Sequence, residues 1–296
     1  MQKNNIVVLI FVLLTFISCS SNDNHNYVGM DFRIFNGTPA EELASAVKWQ
    51  NTKKIRHLVL EEGVSVDYQE PKYGNTVLMN AIMNGKYKSV ETLLDLGADP
   101  NLYGDSIDQI SENSVLIAAS WPISPKFLKK LLEYGGNPNS ICKGCQVMHS
   151  GKRVPWRASA LDYAAAESIE NVRLLVEYGA DVNRSKDSCY VPSALKEALV
   201  LDNMEIALCL LEHGANYEGN FVCDGEYNFR GPRDILDELR WCTPPLWSKE
   251  FRYKKKVIEF LQKRGLDYYG SPISEAAIEN IKSLYPLTWK GYIKVY

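Results

Sequence analysis

The chain has 296 residues, 46% of them apolar and 23% charged, with a formal net charge of −3 at neutral pH. That apolar share is enough for a large buried core, which excludes a disordered polyelectrolyte. Acids and bases are interspersed, so no chain-wide excess of base offers the counterion release behind most non-specific nucleic-acid binding, and nucleic acid is not an expected partner.

Residues 1–18 carry Lys3 and then an almost wholly apolar run from Ile6 to Ile17, followed by Ser18 and Cys19. A run of about a dozen residues falls short of the roughly 20 that span a bilayer as a helix, so it reads as a secretion signal. Phe16-Ile17-Ser18-Cys19 resembles the bacterial lipoprotein processing box, in which the cysteine is lipidated and becomes the mature N-terminus. The resemblance implies lipidation at Cys19, a bacterial envelope location and, from Ser20 in place of an Asp, the outer membrane. Ser20 to Asn26 is small and polar, a tether. In the stretch from Tyr27 to Pro39 the aromatics cover the end of the first repeat. Thr38, Pro39 and Glu41 suit the N-cap, first and third positions of a helix.

From there one pattern recurs. Its clearest copy runs from Ser159 to Asn183, SALDYAAAESIENVRLLVEYGADVN. Ser159 is an N-cap, Leu161, Ala164 and Ala165 line a short helix, Val172, Leu174, Leu175 and Val176 load a second, and Gly179 stops it in a left-handed conformation. The ending returns as LLDLGADPN from Leu93, LLEYGGNPN from Leu131 and LLEHGANYE from Leu210, with degenerate copies around Gly63 and Gly265. The opening returns at Thr76, Ser114 and Ser193 as cap, Leu and Ala. This order is similar to the ankyrin repeat, TPLHxA at its start and LLxxGADxN at its end, although no copy here keeps both the Pro and the His. The resemblance implies an all-α solenoid of about six helix-turn-helix units with projecting finger loops, spanning residues 40–268. Residues 19–39 form a lipidated tether and N-terminal cap segment, and residues 269–296 a C-terminal helix and aromatic cap.

Stop glycines test the period. Successive spacings from Gly63 to Gly265 are 34, 38, 44, 35 and 51 residues, against a family period of about 33. The surplus falls between Tyr103 and Asn113, Ile141 and Arg157, and Phe221 and Pro245, where fingers project and where added length costs little closure entropy.

Chemistry-bearing residues gather in those fingers. Cys142, Cys145 and His149 make a C-x2-C-x3-H run, three ligands of a four-ligand zinc site, and Cys189 and Cys223 lie in the next two fingers. Outside the cytoplasm the same four cysteines are disulfide candidates, and Cys209 reads as a buried thiol. No phosphate cradle, metalloprotease motif or nucleophile elbow is present, so no enzyme activity, cofactor or resident metal is expected. Tyr73, Tyr103, His149, Lys152, Arg153, Trp156, Arg157 and Tyr190 instead present the residue types that dominate protein interfaces. The expected function is a monomeric, envelope-tethered module that binds a protein through fingers and concave face. The alternatives are an immunity or protective protein, or a redox or zinc activity at the Cys142/Cys145/His149 finger.

Overall fold

A computed structural model of the chain describes residues 29–104, 111–120, 124–147, 153–155, 157–184, 193–218 and 234–296. Among these residues the fold is carried by α-helices in sequential pairs, and none is long and apolar enough to cross a membrane. Two compact units divide after Ala98.

The first unit opens with a 3-10 turn, Phe32–Phe35, that buries Phe32 and Phe35 against the first helix. Two helix pairs follow: α1 (Glu41–Lys48) with α2 (Thr52–Leu60), and α3 (Val77–Met83) with α4 (Tyr87–Asp95). Helix α1 begins two residues later than a cap at Thr38 implies. The Thr38 hydroxyl donates to the Phe35 carbonyl at 2.6 Å, so residues 38–40 close a turn and Ala40 takes the N-cap place. Ser89 ties the pairs together, its hydroxyl donating to the Val47 carbonyl at 2.8 Å.

The second unit stacks four further pairs: α5 (Ser114–Ser120) with α6 (Lys126–Glu133), α7 (Ala160–Glu167) with α8 (Ile169–Glu177), α9 (Ala194–Val200) with α10 (Met204–Glu212), and α11 (Ile235–Trp241) with α12 (Lys249–Gln262). Short helices pack on short helices and long on long: α5 against α7 against α9, and α8 against α10 against α12. Caps explain the starts. Ser159 and Asp162 form a reciprocal capping box on α7, and Ser193 caps α9. At α5 the cap is Asn113, whose Oδ1 accepts from the Leu116 amide at 3.0 Å, with Ser114 already helical. The recurring glycines explain the stops, since Gly63, Gly97, Gly135, Gly179, Gly214 and Gly265 all have φ between +72° and +91°, a region closed to most L-residues.

The asparagine that ends each LLxxGADxN copy has a separate task. The Asn101 amide donates to the Gly135 carbonyl at 3.0 Å while its Oδ1 accepts from the Asn137 amide nitrogen at 2.7 Å. Asn139 does the same to Gly179 and Asp181, and Asn183 to Gly214 and Asn216. A ladder of side-chain amides thereby joins successive repeats of this unit as far as Asn216. Asn139→Ala should lower stability by about 1–2 kcal/mol, two solvent-edge hydrogen bonds lost, in a urea titration. Asn139→Asp, which keeps the acceptor and loses the donor, should fall between.

The unit is not purely helical. The long finger holds a small antiparallel hairpin, β1 (Cys145–Val147) with β2 (Arg153–Pro155), paired with Gln146 opposite Val154. Beyond Gly265 two helices, α13 (Glu275–Leu284) and α14 (Trp289–Val295), close the unit. The closing aromatic stretch is therefore itself mostly helix, with Tyr292 and Tyr296 buried against Ile281.

One consensus-like change should be harmful. Ala follows the stop glycine at 98, 180 and 215, but Gly136 does so in the third repeat. A Cβ there would lie 2.8 Å from the Leu131 carbonyl and 2.8 Å from Val115 Cγ2. Gly136→Ala should therefore destabilise by about 1–3 kcal/mol, as overpacking does; a raised melting temperature would refute the close approach.

Candidate partner-binding surface

Fingers are positioned from their bases. Tyr103 pairs with Asn113, Ser111 with Lys143, and Ile141 with Ser159, each as an isolated antiparallel bridge. The base of one finger is thus hydrogen-bonded to the next: Ser111 and Lys143 exchange amide-to-carbonyl bonds of 2.6 and 2.9 Å.

Tyr103, expected to contact a partner, works here instead. Its hydroxyl donates to the Ile141 carbonyl at 2.9 Å and accepts from the Ile141 amide at 3.2 Å, and Lys143 Nζ stands 3.8 Å over its ring. The side chain is a pin between fingers, half-buried. Tyr73 belongs to the first unit's finger, whose turn is organised by the buried Glu70 carboxylate. Glu70 accepts from the amides of Lys72, Tyr73 and Asn75 at 2.8, 2.7 and 3.1 Å. Arg157 is exposed, and its carbonyl accepts from the Arg184 guanidinium. Arg153 sits on β2 opposite Val147 and Cys145 on β1 opposite Pro155. His149, Lys152, Trp156, Tyr190, Cys189 and Cys223 lie outside the described residues, as do Cys19 and the leader.

Among the finger cysteines, Cys142 is the one whose side chain lies among the described residues. It is fully buried and a free thiol, its amide donating to the Ala158 carbonyl at 2.9 Å. Alternation explains this, because Cys142 lies between two bridge residues and so points opposite to both, into the repeat stack. Burial pushes its thiol up to about 12, and the nearby Glu112 and Asp162 charges push the same way. A buried thiol held in its protonated form is a poor nucleophile, which counts against a redox role for Cys142. In the folded protein Cys142 should resist iodoacetamide at pH 8 and react at least tenfold faster in urea, read by peptide mass spectrometry. Cys209, also buried and free, lies near His213 at 3.9 Å.

Around Cys142 the structure gathers a cluster that local pattern did not reveal. The Tyr163 hydroxyl lies close enough to both the Glu112 carboxyl and the Cys142 thiol to draw their pKa values down. Burial holds Glu112 up at about 6, against the pull of that hydroxyl. Asp162 is likewise held at about 6 by burial, opposed by hydrogen bonds from Ser159 and by Arg184, whose guanidinium is 3.8 Å away. The only sequence signal was the capping box at Ser159 and Asp162. This cluster braces the central finger bases.

Comparison with known proteins agrees with this architecture. The family described as "Ankyrin repeats (3 copies)" matches residues 14–104, and "Ankyrin repeat" matches residues 157–187. An ankyrin repeat protein of Acanthamoeba polyphaga mimivirus is 33% identical over 102 residues, covering 34% of this chain and 58% of that protein. The ankyrin repeat and SOCS box protein 6 of Homo sapiens is 27% identical over 175 residues, covering 54% of this chain and 39% of that protein, and the Pongo abelii protein of the same name matches equally. The matches therefore span between about two fifths and three fifths of those relatives. The chain is built of ankyrin repeats, an all-α repeat solenoid. Ankyrin repeats imply a protein–protein interaction module.

Proposed function

We propose that this chain is a non-catalytic, monomeric binding module, tethered to a bacterial envelope by a lipid on Cys19, that holds a protein partner against its fingers. One observation carries the reading. The polar side chains described at the central finger bases, Tyr103, Glu112, Cys142, Asp162 and Tyr163, are engaged with one another or with backbone. They brace a scaffold and offer no protonatable group to a substrate. Exposed Arg157 and the outer parts of the fingers are then the contact surface.

The partner should be recovered by crosslinking in cells followed by pull-down of the tagged chain from membranes. A discrete protein that is lost with Arg157→Glu supports the module. Recovery of none, with a redox or hydrolytic activity that disappears on Cys145→Ala, would overturn it. The tether is tested separately: labelled palmitate should enter the protein and fail to enter Cys19→Ala, and the labelled protein should fractionate with the outer membrane.

A further inference from the structure

The outer helix of the last repeat, α12, presents a basic face whose cations are mostly without ion pairs among the described residues, whereas on the equally basic α2 Lys54 and Arg56 pair with Glu42 and Asp95. Its apolar face, Phe251, Val257, Ile258 and Leu261, packs towards α10. Its solvent face carries Lys249, Arg252, Lys255, Lys256 and Lys263, with Arg264 just beyond, against one exposed acid, Glu259. Lys249 is paired with Glu205 at 2.5 Å. Arg252, Lys255, Lys256, Lys263 and Arg264 make no ion pair among the described residues; their contacts include the Trp247 and Phe260 carbonyls and the rings of Phe251, Tyr253 and Phe260. In a chain of net charge −3 such a face is a local reversal of sign. At its start stands Trp247, 79% exposed, held beside Arg252 by a 3.4 Å bond from the guanidinium to the Trp247 carbonyl.

The geometry points to α12 as a docking face for an anionic lipid bilayer, with Arg252, Lys255 and Lys256 on headgroup phosphates and Trp247 in the interfacial layer. Two features favour a membrane over a nucleic acid or an acidic protein. Unpaired cations on one face of a surface-lying helix are drawn to an anionic leaflet at about 1 kcal/mol each. A large, exposed amphipathic indole beside them suits the headgroup boundary, where tryptophan concentrates, and has no matching use on a phosphate backbone. This contact is independent of any lipid on Cys19, and would lay the last repeat on the bilayer.

The test is flotation of the full-length chain with vesicles of phosphatidylcholine alone and with about one third phosphatidylglycerol. A leader or lipid anchor partitions into both, so the proposal is read from the difference between them. Wild type should prefer the anionic vesicles, losing that preference as salt rises above about 0.15 M. Lys255→Gln/Lys256→Gln, both exposed and so compatible with folding, should weaken the anionic component roughly 30-fold, the fold-change of about 1 kcal/mol per cation. Trp247→Ala should weaken it several-fold with the salt dependence retained. Equal retention on both vesicle types, an unaltered double variant, or tighter binding to duplex DNA or to an acidic protein than to anionic vesicles would each overturn the proposal. The pull-down that tests the finger surface is unaffected by either variant, so the two readings fail separately.

Discussion

Tyr296→Ala should cost about 3–5 kcal/mol, the range for truncating a buried aromatic. The ring is buried, lies 3.6 Å beneath Lys254 Nζ, and packs on Tyr292 with centroids 5.1 Å apart. Its hydroxyl donates to the Leu239 carbonyl at 3.2 Å and to that of Arg240, and its main-chain oxygen accepts from Arg240 at 3.1 Å. Neighbouring tyrosines repeat the arrangement: Tyr292 donates to the Pro244 carbonyl and Tyr285 to that of Thr243, each at 2.8 Å. These hydroxyls satisfy carbonyls of residues 239–244, which would otherwise face apolar side chains unpaired. Tyr296→Phe, which keeps the ring, should cost only about 1–2 kcal/mol in urea denaturation. Equal losses for Ala and Phe would mean that the hydroxyl, and not the packing, dominates.

Lys254 should contribute a rise in stability between pH 7 and pH 9.5, opposed by the buried thiols Cys142 and Cys242, which stay protonated in the folded chain; Lys254 is 1% exposed and buried among Arg240, Cys242 and the tyrosines. Burial brings its ammonium down to about 7, opposed by Cys242 and Asp202. The unfolded chain keeps the ordinary lysine value near 10.4. Between these values the unfolded state binds more protons than the native state, so raising the pH favours folding. The effect saturates above about pH 10 and is worth a few kcal/mol at about 1.4 kcal/mol per unit of separation. Lys254→Met should flatten the rise and increase stability at pH 7, since an apolar group of similar length needs no desolvation. The same change in urea midpoint from pH 7 to 9.5 in wild type and in Lys254→Met would refute a buried, depressed lysine. The acids act oppositely and lower down. Glu112, Asp162 and Asp202 are held at about 6 by burial, so the native state binds the extra protons and stability falls as pH climbs from about 4 to 6. Together the two sets place a shallow minimum near pH 6–7.

Cluster and cap meet in one experiment. Tyr296→Ala opens Lys254 to water, so the variant should lose the pH 7–9.5 rise as well as stability. A destabilised variant that kept the rise would show that Lys254 is buried by other side chains.

The helix pairs were legible because their signals are local. A cap residue such as Ser159 or Ser193, an apolar stripe at helical spacing, and a glycine where φ must be positive each lie within a few residues of what they control. The errors have the same origin. Thr38 reads as a cap until Phe35 is seen to take its hydroxyl, and Ser114 reads as one until Asn113 accepts the amide of Leu116. Averaged charge hid the basic face of α12, because a sum over the chain cancels a cation excess on one helix against acids elsewhere.

By itself the sequence determined the repeat, its unequal lengths and the places where fingers project, since these depend on backbone conformations that Gly, Ser and Leu encode one turn at a time. Only the tertiary structure decided what the fingers' chemistry is for. Cys142 became a buried thiol because the bridges on either side turn it inward, and Tyr103 became a pin because Ile141, 38 residues on, meets its hydroxyl. Arg240 reaches the Tyr296 main chain across 56 residues. Burial and partner are properties of the stacked repeats, and no window of sequence contains both sides of such a contact.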